Sequence, residues 1–147
     1  MSISASQVKE LREMSGVGMM ECKKALVETD GNLQKALDLL RANSSLKAEK
    51  KASRVAADGA VKIADNSSYT SLVEINSETD FAAKDSKFKD FTIDVANYLS
   101  TNQVNDIGDL TAAFEKKRQS LIQSIGENIQ LRRLATLESP SNGCIGA

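Results

Sequence analysis

The sequence contains no histidine, no tryptophan, one proline and only two cysteines among its 147 residues. Histidine is the commonest general base and a frequent zinc ligand, so the sequence lacks the residue that acid–base catalytic sites and zinc sites most often use. Cys22 and Cys144 lie far apart, and neither belongs to a C-x-x-C pair. The sequence therefore predicts no zinc site, no cofactor and no enzyme activity, and we expect a protein of the reducing cytosol.

Long apolar runs and an excess of charge of one sign are also missing. No apolar run approaches the ~18 residues of a transmembrane helix, and residues 1–5 lack the start of a signal peptide. Lys and Arg total 19 against 20 Asp and Glu, which argues against a nucleic-acid surface over the whole chain. The run Gly16-Val17-Gly18 is not followed by G-K-[ST], so it predicts a turn, and no nucleotide-binding loop is expected.

Residues 1–42 have the apolar spacing of three short helices. Glycines end the first two, and the third has apolar residues at i, i+3, i+4 and i+7. These four are Leu33, Ala36, Leu37 and Leu40. We predict a three-helix bundle over residues 1–42, because helices this short must pack on one another. Residues 43–55 are rich in charge with little apolar face, and we predict an exposed, partly helical basic linker there.

From residue 56 the apolar period changes to two, which is typical of strands. Two alternating runs flank the turn signal Asp65-Asn66-Ser67-Ser68, which predicts an antiparallel hairpin. Two amphipathic helices follow, at about 85–100 and 110–125, and Gly126 is expected to cap the second. A third alternating run covers 129–137. The predicted fold class is α+β, with a three-stranded antiparallel sheet covered on one face by two helices over residues 56–140.

The stretch Thr79–Lys84 lies between a predicted strand and a predicted helix. Its aromatic residue, Phe81, is flanked by an acid and by small residues. Phe81 either inserts into another protein or folds back into its own core, and the residues leave both open. Asp80 either caps a helix of its own chain or hydrogen-bonds a partner. Together with Glu74 and Glu78 it offers oxygen ligands for a hard cation, although a solvated strand edge is the simpler interpretation.

Two further features leave alternatives open. Met19 and Met20 are adjacent on a predicted helix, about 100° apart, so both cannot face one small core. One of them is then merely exposed, or it contacts a partner as an adaptable apolar side chain, which also suits a ubiquitin-type or peptide-binding module. The basic residues between Lys47 and Arg54 form a solvated linker or, without any interleaved aromatic residue, a weak RNA-binding arm.

Five motifs, in the correct order along the chain, resemble bacterial elongation factor Ts, the guanine-nucleotide exchange factor for elongation factor Tu. They are Val8-Lys9-Glu10-Leu11-Arg12, Gly18-Met19-Met20-Glu21-Cys22-Lys23-Lys24-Ala25-Leu26, Ala56-Ala57-Asp58-Gly59, Thr79-Asp80-Phe81-Ala82-Ala83-Lys84-Asp85 and Ile125-Gly126-Glu127-Asn128-Ile129. The resemblance spans nearly all of the chain. It implies that the bundle is a ubiquitin-associated-like (UBA-like) domain and that residues 56–140 are the N-terminal half of the family's core.

The resemblance also implies a function and two sets of contact residues. The chain is expected to bind elongation factor Tu, GDP-bound and nucleotide-free, in the cytoplasm, and to promote GDP release without binding nucleotide or nucleic acid itself. Residues expected to dislodge the partner's Mg²⁺ are Thr79, Asp80, Phe81 and Ala82. Residues expected to contact its G domain are Met19, Met20, Ile125 and Gly126.

Two departures from the family pattern stand out. Ala82 occupies a position where family members usually carry valine, which makes the predicted wedge smaller. Members also typically continue into a second core subdomain, so we expect residues 141–147 to be the truncated start of that subdomain and the exchange activity to be affected. A peptide-binding helical module and an RNA-associated protein stay as the alternative functions.

Overall fold

The computed structural model describes residues 3–140 of the chain. Within this range the elements follow in the order α1 (Ala5–Ser15), α2 (Met19–Glu28), α3 (Leu33–Lys51), β1 (Asp58–Asp65), β2 (Tyr69–Ser77), α4 (Asp80–Lys84), α5 (Ser86–Thr101), α6 (Ile107–Ile125) and β3 (Gln130–Glu138). The predicted α+β fold is confirmed: three helices come first, followed by a three-stranded antiparallel sheet with helices packed on it. The prediction for residues 141–147 lies outside the described residues.

The first three helices pack around one small apolar core, as the sequence predicts. Helix α1 begins at a capping box, in which Ser4 and Gln7 each accept the other's backbone N–H, at 3.3 and 3.0 Å. Gly16 ends it in a left-handed conformation with φ of 69°. The buried core contains Leu11, Cys22 and Leu26.

Helix α3 is longer than the sequence predicts. It continues without a break to Lys51, so the predicted partly helical linker at residues 43–55 is helical over most of its length and is exposed only in part. The physical reason is tertiary packing, because Ser44 and Ala48 are buried on the side of α3 that meets α6. Helix α3 thus packs in the bundle with its first half and against the second part of the chain with its last turns. The division of domains at residue 42 stays a prediction.

The sheet has the order β1-β2-β3, with both pairs antiparallel. The predicted hairpin between β1 and β2 is present. The side-chain oxygen of Asn66 accepts the backbone N–H groups of Ser68 and Tyr69, at 2.8 and 3.0 Å, and this fixes the turn. On the central strand β2, Val73 and Ile75 are fully buried. They belong to the larger of the two apolar cores, which lies between the sheet and helices α5 and α6.

Helices α5 and α6 cover one face of this sheet, as predicted. Both are amphipathic, and their buried residues include Phe88 and Leu99 from α5 and Ile122 from α6. Helix α6 begins at Ile107, three residues before the predicted start, because Asp106 caps it by accepting two backbone N–H groups, at 2.7 and 3.2 Å. On the opposite face of the sheet, four apolar side chains are exposed: Val61, Ile63, Leu72 and Leu137.

Candidate partner-binding surface

The predicted Thr79–Lys84 stretch forms a helix of five residues, α4, directly after the central strand. Thr79 is its N-cap and accepts the backbone N–H of Ala82, at 3.3 Å. Asp80 therefore does not cap this helix, and that part of the prediction is wrong. It lies in the first turn, where a negative charge is favoured by the helix dipole, and it pairs with Lys84 at 2.7 Å.

The Asp80–Lys84 pair sets the charge beside Phe81. The hydrogen bond and the charge of Lys84 lower the pKa of Asp80 below its ordinary value, and Asp80 in turn raises the pKa of Lys84. Both side chains are mostly exposed, and exposed pairs of this kind contribute little to stability. Their consequence is local: α4 carries a paired anionic and cationic group on the same short helix as Phe81.

Phe81 projects from α4 into solvent with 81% of its surface exposed. The alternative in which it folds back into its own core is therefore wrong. Phe88, which follows on α5, is fully buried and takes that core role. Ala82 is also buried, at 4% exposed, and packs α4 onto the domain, so in the free chain it lies beneath the exposed surface, and its role as a contact residue stays a prediction.

The predicted contact residues at the end of α6 lie next to α4. Ile125 is half-buried and Gly126 is exposed, with the left-handed φ of 87° expected of a helix-ending glycine. The next residue, Glu127, accepts hydrogen bonds from both the backbone N–H and the hydroxyl of Thr79, at 3.0 and 2.7 Å. Two segments 48 positions apart in sequence are thereby joined into one surface.

The methionine pair lies at the start of α2. Both side chains are exposed, Met19 by 48% and Met20 by 67%, so neither takes the core role that one of them was expected to have. The next residue, Glu21, accepts hydrogen bonds from Lys47 and from Gln123, and the second measures 3.0 Å. Because Gln123 is two residues before Ile125, this network places the methionine end of the bundle beside the same end of α6.

Glu21 stays ionised in this network. Burial raises the pKa of Glu21, but the hydrogen bonds from Lys47 and Gln123 outweigh it, and the pKa lies below its ordinary value. Sequence reasoning assigned no role to Glu21, Gln123 or Glu127. Two of them belong to motifs that carry the family resemblance, which was the available signal. The hydrogen bonds of these three residues join segments that are distant in sequence, and apolar periodicity does not show which distant segments meet.

The basic residues of the predicted arm are largely occupied within the chain. Lys47 pairs with Glu21. Lys51 donates a hydrogen bond to the backbone carbonyl of Gly126, at 2.8 Å, and Arg54 pairs with Glu78, at 3.5 Å. Cations that already neutralise carboxylates or cap a helix end are poor phosphate ligands, which disfavours the RNA-binding alternative.

The three acids considered as cation ligands do not converge. Glu74 pairs with Arg132 and Arg133, and Asp80 and Glu78 have the separate partners described above. The hydrogen bond from Arg133 lowers the pKa of Glu74. Among residues 3–140, no three His, Cys, Asp or Glu side chains are grouped as a metal site requires. In the same range no helix combines the length and apolar character needed to cross a lipid bilayer.

Comparisons with known proteins agree with this arrangement of motifs. The family model described as "Elongation factor TS" matches residues 78–147, which include α4, Phe81 and the end of α6. Among curated proteins, the chain is 53% identical to "Elongation factor Ts" of Hahella chejuensis, over 94% of this chain and 49% of the relative. It is 52% identical to the protein of that name from Saccharophagus degradans, over all of this chain and 51% of the relative.

A relative from Haemophilus ducreyi, also named "Elongation factor Ts", is 51% identical over 92% of this chain and 48% of its own length. The chain therefore spans about half the length of the curated relatives it matches. The similarity includes the bundle as well as the sheet, because these alignments cover nearly the whole chain.

Proposed function

Because the chain belongs to the elongation factor Ts family, we propose that it acts in translation elongation by binding elongation factor Tu and promoting GDP release. This proposal includes a cytoplasmic location, where protein synthesis takes place. The observation that carries it is the exposure of Phe81 on a short helix that is anchored to its own domain at Thr79 and Ala82.

Nucleotide exchange makes and breaks no covalent bond. Bound GDP is held by contacts to its phosphates, by Mg²⁺ and by contacts to its base. A protein that binds the nucleotide-free partner more tightly than the GDP-bound partner must weaken GDP affinity by the same factor. The chain therefore needs a surface that fits the partner only when the Mg²⁺ and phosphate contacts are disturbed.

Phe81 suits that role for physical reasons. An aromatic ring that is exposed in the free chain and buried in the complex gains apolar burial only on binding. Such residues often dominate interfaces, and a loss of ~2 kcal/mol on truncation corresponds to roughly 30-fold weaker binding. In this proposal Phe81 inserts beside the partner's Mg²⁺ site, while Asp80 contributes a hydrogen bond or a charge next to it.

A second contact is proposed at the bundle and the end of α6. Met19 and Met20 supply flexible apolar side chains, and the end of α6 supplies the half-buried apolar side chain of Ile125 next to Gly126, which has no side chain. These residues would contact the partner's G domain while Phe81 acts at the Mg²⁺ site. Thr79 and Ala82 contribute indirectly, because the first caps α4 and the second is buried beneath it.

The test is release of fluorescent GDP from elongation factor Tu in the presence of an excess of unlabelled GDP. We expect the wild-type chain to accelerate release with saturating concentration dependence, and Phe81→Ala to require roughly 30-fold more protein for the same rate. Ile93→Ala is the matched control, because Ile93 is an exposed apolar residue on α5 and should leave release unchanged. Unchanged release at saturating wild-type chain, together with no complex on gel filtration, would refute the proposal.

A further inference from the structure

Two short segments, one on each side of the candidate surface, exchange hydrogen bonds with each other. The carboxylate of Glu127 accepts the backbone N–H of Thr79 at Oε2 and its hydroxyl at Oε1, at 3.0 and 2.7 Å. In the opposite direction, the carboxylate of Glu78 accepts the backbone N–H of Asn128, at 2.7 Å. We call this reciprocal arrangement of Glu78, Thr79, Glu127 and Asn128 the carboxylate clasp.

The clasp determines the direction of the Thr79 hydroxyl. That hydroxyl has one proton and two lone pairs. Because the proton is donated to Glu127, a lone pair is left to accept the N–H of Ala82, at 3.3 Å. Glu127 therefore fixes the rotamer in which Thr79 caps α4, and a hydrogen bond to a charged carboxylate is stronger than one to a neutral group.

Helix α4 depends on such external support. It has only five residues, and an isolated helix of that length is not stable in water. Its exposed aromatic ring contributes little packing to its own chain. What holds α4 in place is its first turn, through the Thr79 cap, together with the buried Ala82 and with Ala83, which packs against the larger core.

Glu127 also belongs to the other predicted contact segment. It directly follows Gly126, which ends α6, and the carbonyl of Gly126 is held by Lys51 at 2.8 Å. On the other side, Asn128 is fully buried and donates from its side chain to the carbonyl of Arg54, at 2.8 Å. The backbone around Glu127 is thus anchored on both sides, so its carboxylate is a fixed point to which α4 is attached.

We propose that Glu127 is a positioning residue: it holds α4 so that Phe81 and the Ile125–Gly126 helix end form one rigid contact surface. This inference deepens the proposed function, and its effect on nucleotide release rests on that function. Glu127 needs no direct contact with the partner. Its removal should leave Phe81 present but variable in direction, so that binding must first order α4.

The first experiment needs no partner. Amide hydrogen exchange on the free chain is measured by NMR for wild type, Glu127→Ala, Glu127→Gln and the control Glu138→Gln, an exposed acid at the end of β3. We expect the amides of Ala82 and Ala83 to exchange roughly tenfold faster in Glu127→Ala, since both hydrogen bonds that Thr79 donates to Glu127 are lost locally. Val73 in the central strand should not change. Unchanged exchange at Ala82 and Ala83 would overturn the inference.

Thr79 supplies a rescue within the same experiment. Thr79→Ser keeps the hydroxyl that links Glu127 to Ala82, so the amides of Ala82 and Ala83 should exchange at the wild-type rate. Thr79→Val keeps the shape of the side chain without the hydroxyl, so the same two amides should exchange as fast as they do in Glu127→Ala. If Thr79→Val behaves like wild type, the hydroxyl link does not hold α4 and the inference is wrong.

The second experiment is GDP release with Glu127→Ala in two backgrounds. If Glu127 acts through Phe81, the substitution should slow release roughly tenfold in the wild-type background and have almost no effect in a Phe81→Ala background. An equal loss in both backgrounds, or a loss that parallels a lower melting temperature, would mean a merely structural role and would overturn the inference. If the wild-type chain itself fails to accelerate release, the proposed function fails, and the exchange measurements alone decide whether Glu127 holds α4.

Discussion

Two phenylalanines seven positions apart should respond in opposite ways to the same substitution. Phe81 is 81% exposed on α4, whereas Phe88 is fully buried on α5. Phe81→Ala is therefore expected to change partner binding without changing stability, and Phe88→Ala is expected to change stability. The pair tests whether the ring of Phe81 is free of its own core in solution.

The magnitudes follow from burial. Full burial of a phenylalanine side chain is worth up to ~3 kcal/mol, and only about a fifth of Phe81 is buried, so Phe81→Ala removes at most ~0.6 kcal/mol of apolar burial. Alanine is the better helix former by up to ~0.7 kcal/mol, which offsets that loss. Phe88→Ala leaves a cavity in the larger core and should cost ~3–5 kcal/mol.

The assay is urea unfolding followed by far-ultraviolet circular dichroism, with the free energy of unfolding taken from linear extrapolation. Phe81→Ala should fall within ~0.5 kcal/mol of wild type with an unchanged slope. A loss above ~1.5 kcal/mol would exceed what the exposed ring can account for. It would mean that Phe81 packs into its own chain, and the partner-facing role would then be refuted.

Three further outcomes are expected. Gly59→Ala should lower the free energy of unfolding by at least ~2 kcal/mol in urea unfolding. The new Cβ would lie 2.1 Å from the carbonyl oxygen of Ile75, and the backbone φ of Gly59, 141°, is one that residues with a side chain rarely adopt. A smaller loss would contradict the pairing of β1 with β2. The hydrogen bond from Arg118 lowers the pKa of Glu115 below its ordinary value of 4.5, so the stability it contributes is present above that pH and is lost as the pH falls below it. The melting temperature should fall less steeply between about pH 6 and pH 3 for Glu115→Gln than for wild type. Parallel falls in the melting temperature would contradict the pairing of Glu115 with Arg118. Met20→Ala should keep the wild-type melting temperature, since the side chain is 67% exposed, and should raise the concentration needed for half-maximal GDP release; an unchanged concentration would remove Met20 from the contact surface.

The secondary structure could be predicted where its cause is local. The alternation in β1 and β2 and the turn around Asn66 predict the hairpin, because a period of two and a polar turn are properties of neighbouring residues. The end of α6 at Gly126 is confirmed for the same reason, since a glycine in the left-handed region ends a helix regardless of what surrounds it.

Predictions failed where the cause is a distant segment. The predicted bundle ends at residue 42, too early for the end of α3, because residues 43–55 are rich in charge and have little apolar face. In the structure Ser44 is buried, and its hydroxyl contacts the side chain of Gln123, 79 positions away. The burial of Ala82 has the same kind of cause, since its sequence neighbours do not reveal which side of a five-residue helix faces the core.

By itself the sequence determined the α+β class, the order of the elements and the motifs shared with elongation factor Ts, because periodicity, turn residues and ordered motifs can be recognised without coordinates. Only the tertiary structure decided that Phe81 is exposed while Phe88 is buried, and that Glu127 accepts hydrogen bonds from Thr79, the N-cap of the helix that carries Phe81. The physical reason is that burial and hydrogen bonding between distant segments depend on how the elements pack, and an aromatic ring is apolar in the sequence whichever way it points.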